Sequence, residues 1–327
     1  MSAAEMALWA RTPDLRQSDI HAALWENHTL IKTSCMRQTL HLIPAADYFV
    51  FINALKRSRF EALWRIMAKF RITPSEYDSM NEEIMEALSD GPLTQRELIK
   101  EIKPKVEDNV RTWMAHVWSI FKPVLAEGLI CYGPNQGQQV TFVRVDQWLP
   151  KRDEVAEQEA RQTLLRRFLS AFAPATVQDF SKWSGMPMKE AKQIWKSSED
   201  EMVEVSVEGQ PTFILNQDLE DLKNRPAKSQ PLRLLPNFDS YLLGHVDKNH
   251  LVDAKYYKRV YRNQGWISSV ILLDGKVIGI WSYKQRKDRI LVEIDPFEKI
   301  SKAVSHQIEN EAERLGRFIG YPVAVKS

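Results

Sequence analysis

Seven consecutive residues, Met36-Arg37-Gln38-Thr39-Leu40-His41-Leu42, hold the most compact set of polar, chemically capable side chains in the first part of this 327-residue chain. As an extended strand of period two, the segment sets Arg37, Thr39 and His41 on one face and Gln38, Leu40 and Leu42 on the other. A guanidinium, a hydroxyl and an imidazole side by side could line a cleft for a polar ligand, but on an open sheet face they would only be solvated. Spacing leaves both readings standing. A second segment, Lys255-Tyr256-Tyr257-Lys258-Arg259-Val260-Tyr261-Arg262, interleaves four cations with three tyrosines. Cations reach phosphates, and phenol rings stack or hydrogen-bond along a nucleic-acid backbone. The competing reading is a helix with Tyr257, Val260 and Tyr261 turned to its own core and its cations in water. Arg286, Lys287 and Arg289 cluster at a turn that could probe a groove or keep a sheet edge soluble.

Other chemistry is not signalled. No Cys-x-x-Cys, His-Glu-x-x-His, Gly-x-Ser-x-Gly or phosphate-cradling Gly loop occurs. The seven histidines are scattered without metal-ligand spacing, so neither a metal nor a cofactor is expected. Two cysteines, Cys35 and Cys131, cannot build a disulfide framework and fit a reducing cytosol. No apolar run approaches the roughly 18 residues of a membrane span, and the N-terminus lacks the pattern of a secretory signal. A cytoplasmic monomer is the expectation.

Lys and Arg number 45 against 43 Asp and Glu, a net charge of +2 that hides a split. Residues 1–150 carry −1, residues 151–222 carry −5, and residues 223–327 carry +8. A basic C-terminal third attracts polyanions through Coulomb forces and counterion release, although a solvated basic face gives the same arithmetic.

The elements that would position these groups repeat. Pro92-Leu93-Thr94-Gln95-Arg96-Glu97-Leu98 and Pro174-Ala175-Thr176-Val177-Gln178-Asp179-Phe180 share one recipe at an offset of 82 residues, which Trp113 and Trp195 also keep. Thr-x-x-acid is a helix start, the hydroxyl accepting a free amide while the acid faces the positive helix end. A longer helix precedes each start (residues 78–89 and 153–172). Ala160, Leu164, Leu165, Phe168, Leu169 and Phe172 share one face of the second. A further helix follows; around 108–126 it carries an apolar stripe including Val110, Trp113, Met114, Phe121, Val124 and Leu125, with Pro123 expected to bend or fray its end. Strands at 129–132 and 139–145, then 202–207 and 212–215, close each unit as hairpins. Three helices and a hairpin make a winged-helix plan, whose third helix or wing usually meets DNA. Lys189, Lys192 and Lys196 mark that helix in the last unit, while Arg111 is alone in the middle one.

The first 72 residues read as a degraded third copy: helices at 3–11 and 18–26, strands at 30–33 and 39–43, and a long helix at 45–70. Residues 223–231 read as a linker. Beyond it, strands at 267–273 and 277–283 flank Asp274-Gly275, a type I′ turn signal. Further strands are expected at 290–294, 232–235 and 241–246, with a closing helix at 298–318. The fold class is therefore α+β: tandem winged-helix (helix-turn-helix) units at 1–72, 73–150 and 151–222, then a basic antiparallel β-barrel-like domain at 223–327.

Several of these segments also carry a family resemblance. Met36-Arg37-x-Thr39-Leu40-His41-Leu42, after Ala7-Leu8-Trp9-Ala10-Arg11, resembles the AlkZ/YcaQ-type winged-helix family. So do Leu235-Pro236-x-Phe238-Asp239-x-Tyr241-Leu242-Leu243-Gly244, Gly265-Trp266-Ile267 and Asp274-Gly275-Lys276-Val277-Ile278-Gly279-x-Trp281. The resemblance spans nearly the whole chain. It implies three tandem winged helices with a C-terminal β-barrel, and bacterial DNA glycosylases that excise N7-alkylated purines and unhook interstrand crosslinks. N7 alkylation makes the purine a cationic leaving group, so the enzyme's remaining task is to hold a water and stabilise an oxocarbenium ion. A crosslinked base cannot flip freely, which suits clasping of a duplex.

Two departures matter. The family's water-holding Gln-x-Gln or Gln-x-Asp precedes the stretch matching Ser2–Trp9, and is expected upstream of Met1. The family's Gly between Arg and Thr is Gln38 here. With that motif outside the sequence, Asp239, Arg37, Thr39 and His41 are the first residues to test for chemistry, Asp239 having the alternative role of a loop cap. Lys255, Lys258, Arg259, Arg262, Arg286, Lys287 and Arg289 are the expected contacts to double-stranded DNA. The alternatives are a non-catalytic DNA-binding regulator and a protein-interaction scaffold.

Overall fold

The computed structural model describes residues 2–116, 120–150, 155–224 and 231–326. Two compact units emerge, one of Ala22–Asn216 and one that joins Met1–His21 to Gln217–Ser327. The N-terminal helix Ala3–Arg11 therefore belongs with the C-terminal third, although the sequence pattern groups it with residues 1–72.

In the larger unit both Thr-x-x-acid starts form reciprocal capping boxes. Thr94 N–H donates to Glu97 Oε2 at 2.9 Å and Glu97 N–H to Thr94 Oγ1 at 3.3 Å. The corresponding distances at Thr176 and Asp179 are 2.8 and 3.2 Å. A third box, Thr73 with Glu76, opens the helix Pro74–Ala87 four residues before the periodic pattern suggests, because Pro74 is already suited to the first helical turn. Pro123 acts the same way. Instead of fraying a long helix it lies in the first turn of a separate one, Lys122–Glu127, after Asp108–His116. The apolar stripe across residues 117–119 lies outside the described residues.

The helix Glu157–Phe172 buries Ala160, Leu164, Leu165, Phe168 and Leu169. Phe168 lies 5.5 Å from Phe180 and 5.2 Å from Trp183, ring to ring. The long helix Tyr48–Lys69 packs on it, and Ile52 and Leu55 enter the same core. One five-stranded sheet runs in the order Leu40–Pro44, Leu30–Ser34, Ile130–Gln136, Gln139–Arg144, Leu93–Thr94. It joins strands from either side of position 72, through the pairing of Lys32 with Tyr132. The hairpin Met202–Val207 with Gln210–Leu215 stands apart, and its Glu208-Gly209 turn has both φ angles positive, at 50° and 80°.

The smaller unit is an open sheet in the order Val323–Lys326, Ile290–Pro296, Lys276–Gln285, Val270–Leu273, Arg233–Leu235. This corrects the barrel-like, all-antiparallel expectation. The helix Lys302–Ile319 carries the chain back so that the last strand runs parallel to Ile290–Pro296, as a crossover requires, and the two edge strands stay apart. Asp274-Gly275 forms the expected turn, with φ of 48° and 80°. The strand expected at 241–246 is instead a 3₁₀ turn, Ser240–Leu243, because the Asp239 carboxylate accepts the Tyr241 N–H at 2.9 Å and caps a helical start.

Asp239 is also the anchor of this unit. Its side chain is wholly inaccessible, and Arg11 holds both carboxylate oxygens, Nη1 to Oδ2 at 2.8 Å and Nη2 to Oδ1 at 2.6 Å. The paired carboxylate gives up water for two charge-assisted bonds and one backbone amide, so removing the cation strands a buried charge. Replacing Arg11 with Met should lower the unfolding free energy by about 3 kcal/mol. Chemical denaturation should show this, and an unchanged midpoint would refute the anchoring role.

Candidate nucleic-acid interface

Arg37, Thr39 and His41 do not share a strand face. Met36–Gln38 forms a tight 3₁₀-like turn, and the strand begins only at Leu40. Arg37 and Gln38 take φ of 53° and 57°, the left-handed region, which turns the chain back so that Cys35 N–H donates to Thr39 O at 3.0 Å. Thr39 and His41 are brought together: Thr39 Oγ1 lies 3.0 Å from His41 Nε2, and each also reaches Met36 O, at 3.1 and 3.2 Å. Arg37 points elsewhere, its guanidinium donating to the Trp183 carbonyl. The turn explains why glycine suits position 38, and nothing in the structure explains the glutamine found there. Glycine adopts a left-handed φ freely, whereas glutamine is strained there, and Gln38 makes no side-chain hydrogen bond among the described residues that would offset this. Gln38→Gly should stabilise the fold by up to about 1 kcal/mol, read as a higher denaturation midpoint.

Burial and the nearby Arg37 and Arg59 charges push the His41 pKa down to about 4, against a hydrogen bond to Met36 O that raises it. The imidazole is therefore neutral at pH 7 and serves as a hydrogen-bonding group, not a proton donor. A histidine held neutral contributes stability above its unfolded pKa of roughly 6.5, and that contribution fades as pH falls toward about 4. Its ring resonances should titrate near pH 4, and His41→Ala should flatten the pH dependence of stability between those limits. A His41 midpoint near 6.5 would contradict this.

In the smaller unit the structure sorts the seven expected DNA contacts. Lys255 Nζ lies 2.7 Å from Glu298, and Arg259 lies 2.5 Å from Asp295 with its guanidinium 4.6 Å from the Phe297 ring centroid. Arg289 pairs with its neighbour Asp288 at 2.8 Å. Lys258, Arg262, Arg286 and Lys287 are exposed and make no ion pair among the described residues. The tyrosine segment is a short 3₁₀ turn, Ala254–Tyr256, followed by a four-residue helix, Tyr257–Val260. Val260 is buried, Tyr261 donates its hydroxyl to Leu242 O at 2.9 Å, and Tyr257 stands exposed, stacked on Tyr261 at 4.9 Å. Neither sequence reading is complete: one side of the turn is core, the other is available.

Two aromatic residues that the sequence marks only as parts of family motifs stand at the surface. Phe238 and Trp266 are 40% and 48% exposed, with ring centroids 5.1 Å apart in an edge contact. Phe238 has a φ of 58°, and Trp266 follows Gln264 and Gly265 at 60° and 75°, with Trp266 O accepting from Arg262 N–H at 2.7 Å. Turn-rich surroundings and the family motifs are the sequence signals here, because a large aromatic in such a loop answers to no helical or strand period. Among the described residues no group of three or more His, Cys, Asp or Glu could hold a metal. Likewise, no described helix is long and apolar enough to cross a membrane.

The chain is α+β, with surface cations that meet no acidic partner among the described residues and with exposed rings in the same unit, features that nucleic-acid-binding proteins share. Its family is shown by comparison: residues 1–318 match the family described as DNA glycosylase AlkZ-like, and the chain belongs to it. It is 30% identical over 305 residues to an interstrand DNA cross-link repair glycosylase of Streptomyces sahachiroi, covering 89% of this chain and 80% of the relative. The solved structure of the Streptomyces sahachiroi DNA glycosylase AlkZ superposes with a TM-score of 0.80 at 26% identity, over 99% of this chain and 89% of that one.

Proposed function

We propose that this protein binds duplex DNA in repair, as a member of the glycosylase type that acts on N7-alkylated purines and interstrand crosslinks. The match to the AlkZ-like family over residues 1–318, with the same fold as its solved member, is the observation that carries the reading. Tandem winged-helix units remain the proposed organisation of residues 1–222, and double-stranded DNA the proposed partner. Lys258, Arg262, Arg286 and Lys287 are the proposed phosphate contacts, because no carboxylate among the described residues pairs with them. Lys255, Arg259 and Arg289 contribute less, since each must first release Glu298, Asp295 or Asp288. Thr39 and His41 are the proposed lining of a cleft, and Arg37, turned to the Trp183 carbonyl, is set apart from them.

Where N-glycosidic hydrolysis occurs, the alkylated purine leaves as its own neutral base. The protein must then place a water and stabilise positive charge on the sugar. Asp239 is poorly suited to that step, since Arg11 and the Tyr241 amide occupy its oxygens. This removes Asp239 as a candidate for the chemistry and leaves, as a second reading, a non-catalytic DNA-binding member of the family.

A gel-based excision assay on duplex carrying N7-methylguanine separates the two readings. Base release supports the glycosylase, whereas binding with the base intact supports the second reading. Duplex affinity should fall steeply with salt, and Lys258→Glu with Arg262→Glu should weaken it at least tenfold while making the salt dependence shallower. Affinity unchanged by that double reversal would remove the patch from the interface.

A further inference from the structure

In the larger unit, a cavity of about 250 Å³ lies between the turn at Arg37, the long helix Tyr48–Lys69 and the end of the helix Val177–Ser184. Arg37, Arg59 and Arg65 line it together with Ser58 and Ser184. Its only acid is Glu61, which is exposed and faces Arg57 at 3.2 Å. The turn is pressed against this wall: a Cβ on Gly185 would come within 3.0 Å of the Arg37 backbone.

Arg59 is the unusual member. It is 6% exposed, and only one of its nitrogens is engaged, Nη2 donating to Ser34 O at 2.9 Å. Nε and Nη1 are buried with no hydrogen-bond partner. No carboxylate pairs with Arg59, Arg37 or Arg65 among the described residues. The groups whose charge would act on Arg59 are the Cys35 thiol and the Tyr48 and Tyr132 phenols. Burial pushes the Cys35 thiol up to about 11 and raises both phenols, so none is ionised at neutral pH. A guanidinium taken out of water is strongly disfavoured unless an anion and acceptors replace its hydration. Folded chains keep such a group unpaired chiefly where something else completes it.

We propose that this cavity is an oxyanion site that takes a phosphate group, with Arg37 and Arg65 at its mouth and Arg59 as the buried charge behind them. The phosphate comes either from a DNA backbone or from free orthophosphate. Both present the same tetrahedral dianionic or monoanionic oxygens to a guanidinium fork. The site is built wholly from residues of the larger unit and does not depend on glycosylase activity.

The test is thermal unfolding of the full chain in a zwitterionic buffer, with orthophosphate titrated against chloride at equal ionic strength. Phosphate at ten times its Kd should raise the midpoint by about 3 °C or more beyond chloride. Arg59→Met should raise the midpoint in phosphate-free buffer, by exchanging an unpaired charge for apolar contact, and abolish the phosphate response. Arg37→Gln, at a half-exposed position, should cut the response with the fold intact, which keeps the test decisive if Arg59→Met fails to fold.

Duplex binding then distinguishes the sources. A DNA-backbone phosphate predicts that Arg37→Gln lowers the slope of log K against log salt by about 0.9 per lost contact. An unchanged slope together with a lost phosphate response assigns free orthophosphate. Equal shifts with phosphate and chloride, or a phosphate response surviving in Arg37→Gln, would overturn the site.

Discussion

The ion pair between the half-exposed Arg11 and the buried Asp239 is the contact on which the smaller unit turns. Asp239 has no access to water, so its charge is tolerable only because Arg11 and the Tyr241 amide saturate it. That single requirement draws the helix Ala3–Arg11 onto a sheet made from the last third of the chain. It also starts the turn Ser240–Leu243, and it fixes the residue after Phe238, whose ring the left-handed backbone at that position holds outward beside Trp266. An exposed ring and a buried anchor are thus adjacent in sequence and opposite in character.

The larger unit handles charge differently. Its cores are ordinary, built from capped helices with apolar stripes and aromatic contacts such as Phe168 with Trp183. Its unusual feature is a buried cation with no acid beside it among the described residues, next to a turn that uses two left-handed residues to reverse the chain. Strained backbone and unsatisfied polar groups persist where surrounding structure over-determines them, and they gather at ligand sites more often than elsewhere. The neutral imidazole of His41 belongs to the same environment, since the Arg37 and Arg59 charges that disfavour its protonation would favour an anion.

Much of the architecture was legible from local signals. The Thr94 and Thr176 helix starts, the face from Ala160 to Leu169 and the Asp274-Gly275 turn depend on residues within a few positions of one another, so their patterns survive in one dimension. Legibility failed where a distant partner decides. The strand expected at 241–246 became a turn through a carboxylate that is itself held by a residue more than two hundred positions away. Period-two reading of Arg37, Thr39 and His41 failed because the alternation presumes extended backbone, and Arg37 and Gln38 leave it. The barrel-like expectation failed because direction and order of strands are set by where the helix Lys302–Ile319 returns the chain.

For the candidate site the division is sharper. By itself the sequence determined which residues carry positive charge, that the charge gathers in residues 223–327, and that motifs from Ala7 to Trp281 resemble one glycosylase family. Only the tertiary structure decided which of those cations are available. Lys255 and Arg259 share a segment with Lys258 and Arg262, yet the first two meet acids at 298 and 295 while the other two meet none among the described residues. The physical reason is that charge belongs to a side chain, whereas its compensation belongs to whatever the fold brings within about 4 Å. Composition records the first of these, and packing alone supplies the second.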